Sequence, residues 1–95
     1  MSFARTAFGC VVYPNFSQIF VAGGSVNEYE STNKCERYMV TENKWKTLPD
    51  LNESKCNPSL CFFNDGNTLY CFGGLIKTER MIYHTSDKIE RLSKG

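Results

Sequence analysis

Ninety-five residues set a limit of one domain with a modest core. Eleven basic residues against ten acidic leave a net charge of +1, which gives no electrostatic reason to expect nucleic acid or an anionic membrane as partner. No apolar run approaches the ~20 residues of a membrane-spanning helix, and the opening Met1-Ser2-Phe3-Ala4-Arg5 lacks the pattern of a secretory signal.

In chain order, the sequence predicts strands separated by turn chemistry, the pattern of an all-β protein. Phe8 to Tyr13 is rich in valine and aromatics and stops at Pro14-Asn15. Gln18 to Ala22 follows and stops at Gly23-Gly24. A loop, Ser25 to Asn33, leads to Cys35 to Val40, a polar turn Thr41-Glu42-Asn43-Lys44, and Trp45 to Leu48 before Pro49. The order then recurs. Ser59 to Phe63 precedes Asn64-Asp65-Gly66-Asn67, and Asp-Gly between two apolar runs is a strong hairpin signal. Thr68 to Phe72 stops at Gly73-Gly74, and after a loop from Leu75 to Asp87 the stretch Lys88 to Leu92 takes the place of a third strand. Short connections make consecutive strands pair as an antiparallel meander.

The two di-glycines lie fifty residues apart, a spacing that indicates a repeat protein. At that interval Arg5 falls on Lys55, Ile19 on Leu69 and Phe20 on Tyr70. Beyond the glycines the register slips by four, so that Lys34, Glu36 and Arg37 meet Lys88, Glu90 and Arg91. Unit one is read over residues 1–54 with four strands, and unit two over 55–95 with three.

These marks resemble the kelch repeat: a basic residue before an apolar strand (Arg5), a second strand ending in Gly23-Gly24, and Tyr38 followed by Trp45 with six residues between. Unit two matches through Lys55, Gly73-Gly74 and Ile89-Glu90-Arg91-Leu92, with leucine in the tyrosine place and no tryptophan after it. The resemblance implies antiparallel four-stranded meander blades of a β-propeller, incomplete here, with the second blade lacking its outer strand. It also implies that Tyr38 and Trp45 pack between adjacent blades, while each di-glycine ends a strand where φ is positive or another backbone comes close. Three organisations are open: a portion of a longer kelch protein, a ring closed with further copies, or a compact two-sheet sandwich. The start at Met1, four residues before Arg5, and the stop before a fourth strand favour the portion.

Candidate catalytic chemistry is thin. His84 could act as base beside Cys61 or Cys71, but it falls in a loop region, and both thiols sit in apolar strands rather than the electropositive setting a thiolate needs. The five cysteines include no C-x-x-C pair, and His84 is the single histidine, so neither a zinc centre nor a copper centre is expected. Cys10, Cys35, Cys61 and Cys71 are read as half-buried packing residues, reduced in a cytoplasmic setting. Neither di-glycine continues into a phosphate-loop motif. The lysines and glutamates between Lys34 and Lys55 read as a mixed solvated surface, and the recurrent Glu36-Arg37 and Glu90-Arg91 as ion-pairing residues on it.

The expected function is a non-enzymatic module without cofactor, an adaptor or scaffold presenting inter-strand loops to a protein partner. The contact residues expected there are Tyr29 and Glu30 in the first loop, Arg80 and Tyr83 in the second. Self-association through open blade edges is a further expectation. The alternative is a fragment of a propeller enzyme acting on a carbohydrate or other small molecule.

Overall fold

Short apolar runs punctuated by turn residues leave no segment long enough for a helical face. The computed structural model describes residues 5–13, 17–27, 30–63, 68–79 and 82–92, and those residues form nine β-strands and no helix. Strands β1 (Gly9–Val12), β2 (Gln18–Ala22), β3 (Cys35–Met39) and β4 (Lys44–Leu48) make a four-stranded sheet in the order β1-β2-β3-β4. Every neighbouring pair in it is antiparallel, a meander as the short connections dictate. The polar turn into β4 closes through Asn43 at φ 52°, a left-handed conformation that asparagine tolerates. In the second unit β5 (Ser59–Phe63), β6 (Thr68–Phe72) and the final strand β9 (Ile89–Leu92) form a three-stranded antiparallel sheet. The all-β blade architecture is therefore present, a four-stranded sheet in one unit and a three-stranded sheet in the other.

Three strands have the bounds their composition predicts; the other four predicted strands differ by one residue at one or both ends. The larger difference lies between Leu75 and Asp87. That stretch is not a loop but a hairpin of its own, β7 (Leu75–Glu79) with β8 (Ile82–Thr85), whose register shifts between Lys77 and Glu79. The sequence from Thr78 to Tyr83 contains no Gly, Pro, Asn or Asp to announce a hairpin. The turns at 14–16 and 64–67 lie outside the described residues.

Side chains alternate across a strand, so each sheet presents two faces. From sheet one Phe20, Ala22, Cys35 and Leu48 enter the core; from sheet two Leu69, Cys71 and Leu92 do. Phe20 meets Phe62 edge to face at a centroid distance of 5.6 Å, and Tyr13 meets Phe62 at 5.4 Å. Such aromatic pairs contribute about 0.5–1.5 kcal/mol beyond the area they bury. The contacting faces are not equivalent ones. Phe20 points into the core, yet its repeat counterpart Tyr70 points away, and Leu69, counterpart of Ile19, points in. The sheets stack front to back, as successive members of a radial array do.

Candidate functional site

Both di-glycines occupy strand ends with positive φ: 68° and 113° at Gly23 and Gly24, 69° and 94° at Gly73 and Gly74. A Cβ at Gly23 would stand 2.5 Å from the Lys55 carbonyl oxygen, and one at Gly24 2.8 Å from that of Thr6. Conformation and close backbone approach therefore both require glycine at those two positions. Gly73 is different: a Cβ there would meet nothing within 4 Å.

The backbone gathered at Gly23-Gly24 is held by a buried cation. Arg5 has a side chain 0% exposed, and its Nη1 donates to the carbonyls of Gly23 (2.9 Å) and Lys34 (2.8 Å). Its Nη2 donates to Glu36 Oε2 at 2.7 Å, and Glu36 is itself buried. The planar guanidinium fork thus straps the end of β2 to the start of β3. In unit two Lys55 occupies the same place, also 0% exposed, with Nζ 3.4 Å from Glu53 and 3.9 Å from Glu90. Glu53 accepts a hydrogen bond from the Ser86 hydroxyl, and Glu90 accepts one from the Asn52 amide at 2.6 Å. A lysine is a point charge and cannot reproduce the fork, so this second strap is looser. Glu36 and Lys55 consequently do not belong to a solvated surface. The expectation of exposed ion pairing at Glu36 fails because each repeat carries a basic residue at its start that reaches back to the glutamate of its third strand.

Tyr38 and Trp45 stand directly opposite each other on β3 and β4, with ring centroids 5.1 Å apart. The Tyr38 hydroxyl donates to Asn43 Oδ1 in the intervening turn. Both rings lie on the face turned away from unit two, and Trp45 keeps 37% of its surface exposed.

The first inter-strand loop leaves directly after Gly24 and is tethered at its base. Thr6 and Ser25 exchange backbone hydrogen bonds of 2.9 and 2.7 Å, Ser25 also bridges Ser31, and the Thr32 amide donates to the Gly24 carbonyl. Glu30 is exposed, and its amide donates to Asn27 Oδ1 at 2.9 Å. The β7–β8 hairpin leaves from the equivalent place after Gly74, and Leu75 pairs with Cys56 at its base. Tyr83 is the partner of Lys77 in that hairpin. Tyr29 and Arg80 lie outside the described residues.

All five cysteines are free thiols. Cys35 and Cys71 are fully buried, and Cys10 is exposed rather than half-buried because its β1 position faces away from the core. Burial, with the neighbouring Cys71 adding to it, pushes the Cys35 thiol up to about 12. Burial likewise raises Cys71 to about 11. Neither is a nucleophile at neutral pH. His84 is exposed on the separate β7–β8 hairpin, in register with Ile76.

An antiparallel meander, repeated front to back with strand-ending di-glycines, defines a blade-type β-repeat protein. The family model described as the kelch motif matches residues 4–52, just over half of the 95, and the chain belongs to that family. No curated protein matches the chain.

Proposed function

We propose that this chain is a cytoplasmic protein-interaction module, an adaptor or scaffold that works by binding rather than by catalysis. One observation carries the reading: the loop after Gly24 and the hairpin after Gly74 leave from equivalent strand ends, each anchored to a rigid sheet by backbone pairing and a buried cation. A stiff base lowers the ordering cost of binding while leaving loop side chains free to vary. Kelch-family membership supports the same reading. The depressed reactivity of the buried thiols fits a packing role for them.

The contact set proposed is Tyr29 and Glu30 on the first loop with Arg80 and Tyr83 on the hairpin. The test is quantitative capture from cytosolic extract by the immobilised chain, alongside Tyr29→Ala, Glu30→Ala and Arg80→Ala variants of unchanged circular dichroism. A protein retained by the parent chain and lost from the loop variants is expected. Equal retention by parent and variants would reject the loops as the binding surface.

A further inference from the structure

Sheet two turns an uncovered aromatic face to solvent. Ile89 is 71% exposed and Phe63 50%, and both line a shallow groove of about 590 Å³ together with Tyr70 and Phe72. Phe63 and Tyr70 lie edge to face at 5.2 Å. Four large apolar side chains contiguous on one face exceed the scattered exposure that ordinary surfaces show. Sheet one has an uncovered apolar face as well. There Val12 is 42% exposed and stands in register with Ile19, which neighbours Tyr38 and then Trp45 across the sheet.

The repeat register says how these two faces relate. Tyr70 and Phe72 are the counterparts, fifty residues on, of Phe20 and Ala22, which in unit one pack against unit two. Ile19, on the open face of unit one, is the counterpart of Leu69, which in unit two packs against unit one. Val12 likewise corresponds to Phe62 and Tyr38 to Leu92. Each open face therefore matches one half of the contact already made inside the chain. We infer that a second copy of this chain seats its Val12–Ile19–Tyr38–Trp45 face on the Phe63–Tyr70–Phe72–Ile89 groove, continuing the front-to-back stacking from one molecule to the next. Such a contact is heterologous: a dimer leaves one face of each kind free, so further copies add until a ring closes or a chain of molecules grows. This surface is distinct from the loops of the preceding section and does not depend on them.

Heterologous pairing has a signature that face-to-itself pairing lacks. Val12→Lys blocks one face and Ile89→Lys the other, both at exposed positions where the fold tolerates a charge. Each variant alone is expected to be monomeric in sedimentation velocity at concentrations where the parent chain forms species larger than a dimer. Mixed in equal amounts, they are expected to form a 1:1 dimer and stop, because one intact interface remains. Trp45 emission should shift blue on mixing. Should either variant lose its circular dichroism spectrum, Trp45→Lys and Phe63→Lys probe the same two faces. Three results would each overturn the inference: a parent chain that stays monomeric, which would leave the groove to a different occupant; one variant that still self-associates alone; or a mixture that remains monomeric.

Discussion

Replacing Arg5 with methionine removes the cation of the first strap while keeping much of its volume. The consequence follows from what stays behind. Glu36 is 2% exposed and loses its ion-pair partner at 2.7 Å, and the carbonyls of Gly23 and Lys34 lose donors at 2.9 and 2.8 Å. Breaking a buried ion pair by removing one partner costs about 3–5 kcal/mol, because an uncompensated charge remains in a low-dielectric site. A domain of this size has only about 5–15 kcal/mol in total, so the folded population of Arg5→Met should fall severely. The informative comparison is the double variant Arg5→Met/Glu36→Leu. With both charges gone, the desolvation cost disappears as well, and stability should recover by most of the loss. Urea unfolding followed by circular dichroism, with parent, single and double variants at one pH, reads the cycle. A double variant no more stable than Arg5→Met would show that the strap acts through its carbonyl contacts or its packing and not through the ion pair.

Further outcomes follow from the same geometry. Trp45→Ala should destabilise the chain by about 1–3 kcal/mol, less than the roughly 3–5 kcal/mol of a fully buried aromatic such as Phe20→Ala, since Trp45 keeps 37% of its surface in water; urea midpoints of the two variants make the comparison. Gly23→Ala should destabilise more than Gly73→Ala, because both backbones have positive φ but only the first would drive its Cβ to 2.5 Å from a carbonyl oxygen; equal thermal midpoints would contradict it. The buried thiols make stability fall in alkali: they stay protonated in the fold up to about 12 for Cys35 and about 11 for Cys71. The unfolded chain releases those protons from about pH 9 upward. The urea midpoint should therefore be insensitive to these groups below pH 9 and drop above it. The drop should be shallower in Cys35→Ala.

Much of this fold can be read directly from sequence, because strands and turns are local features. Gln18–Ala22, Ser59–Phe63 and Thr68–Phe72 are bounded by Gly, Pro or Asn-Asp-Gly, residues whose backbone preferences stop a strand wherever they occur. The β7–β8 hairpin has no such punctuation. Its strand pairing carries a register shift between Lys77 and Glu79, and no residue type specifies that. The straps were hidden for a different reason. Arg5 and Glu36 are 31 residues apart in sequence, and a charge looks solvated until its partner is found. The clue was their joint recurrence, Arg5 with Glu36 and Lys55 with Glu90, a cation and an anion kept together through a repeat whose length changes between them. The uncovered faces could be foreseen only in part. Alternation identifies two faces for each strand, but which one meets the neighbouring sheet is decided by stacking.

That choice of face is the centre of the account, and nuclear Overhauser contacts between aromatic rings read it directly. Front-to-back stacking puts Phe20 against Phe62, with centroids 5.6 Å apart, and leaves Tyr70 on the opposite side of its sheet beside Phe63. Strong Phe20–Phe62 and Phe63–Tyr70 contacts, with none between Phe20 and Tyr70 at a dilution that keeps the chain monomeric, are the expected result. A sandwich that joined equivalent faces would instead bring Phe20 and Tyr70 together, and that single cross-peak would contradict the blade arrangement.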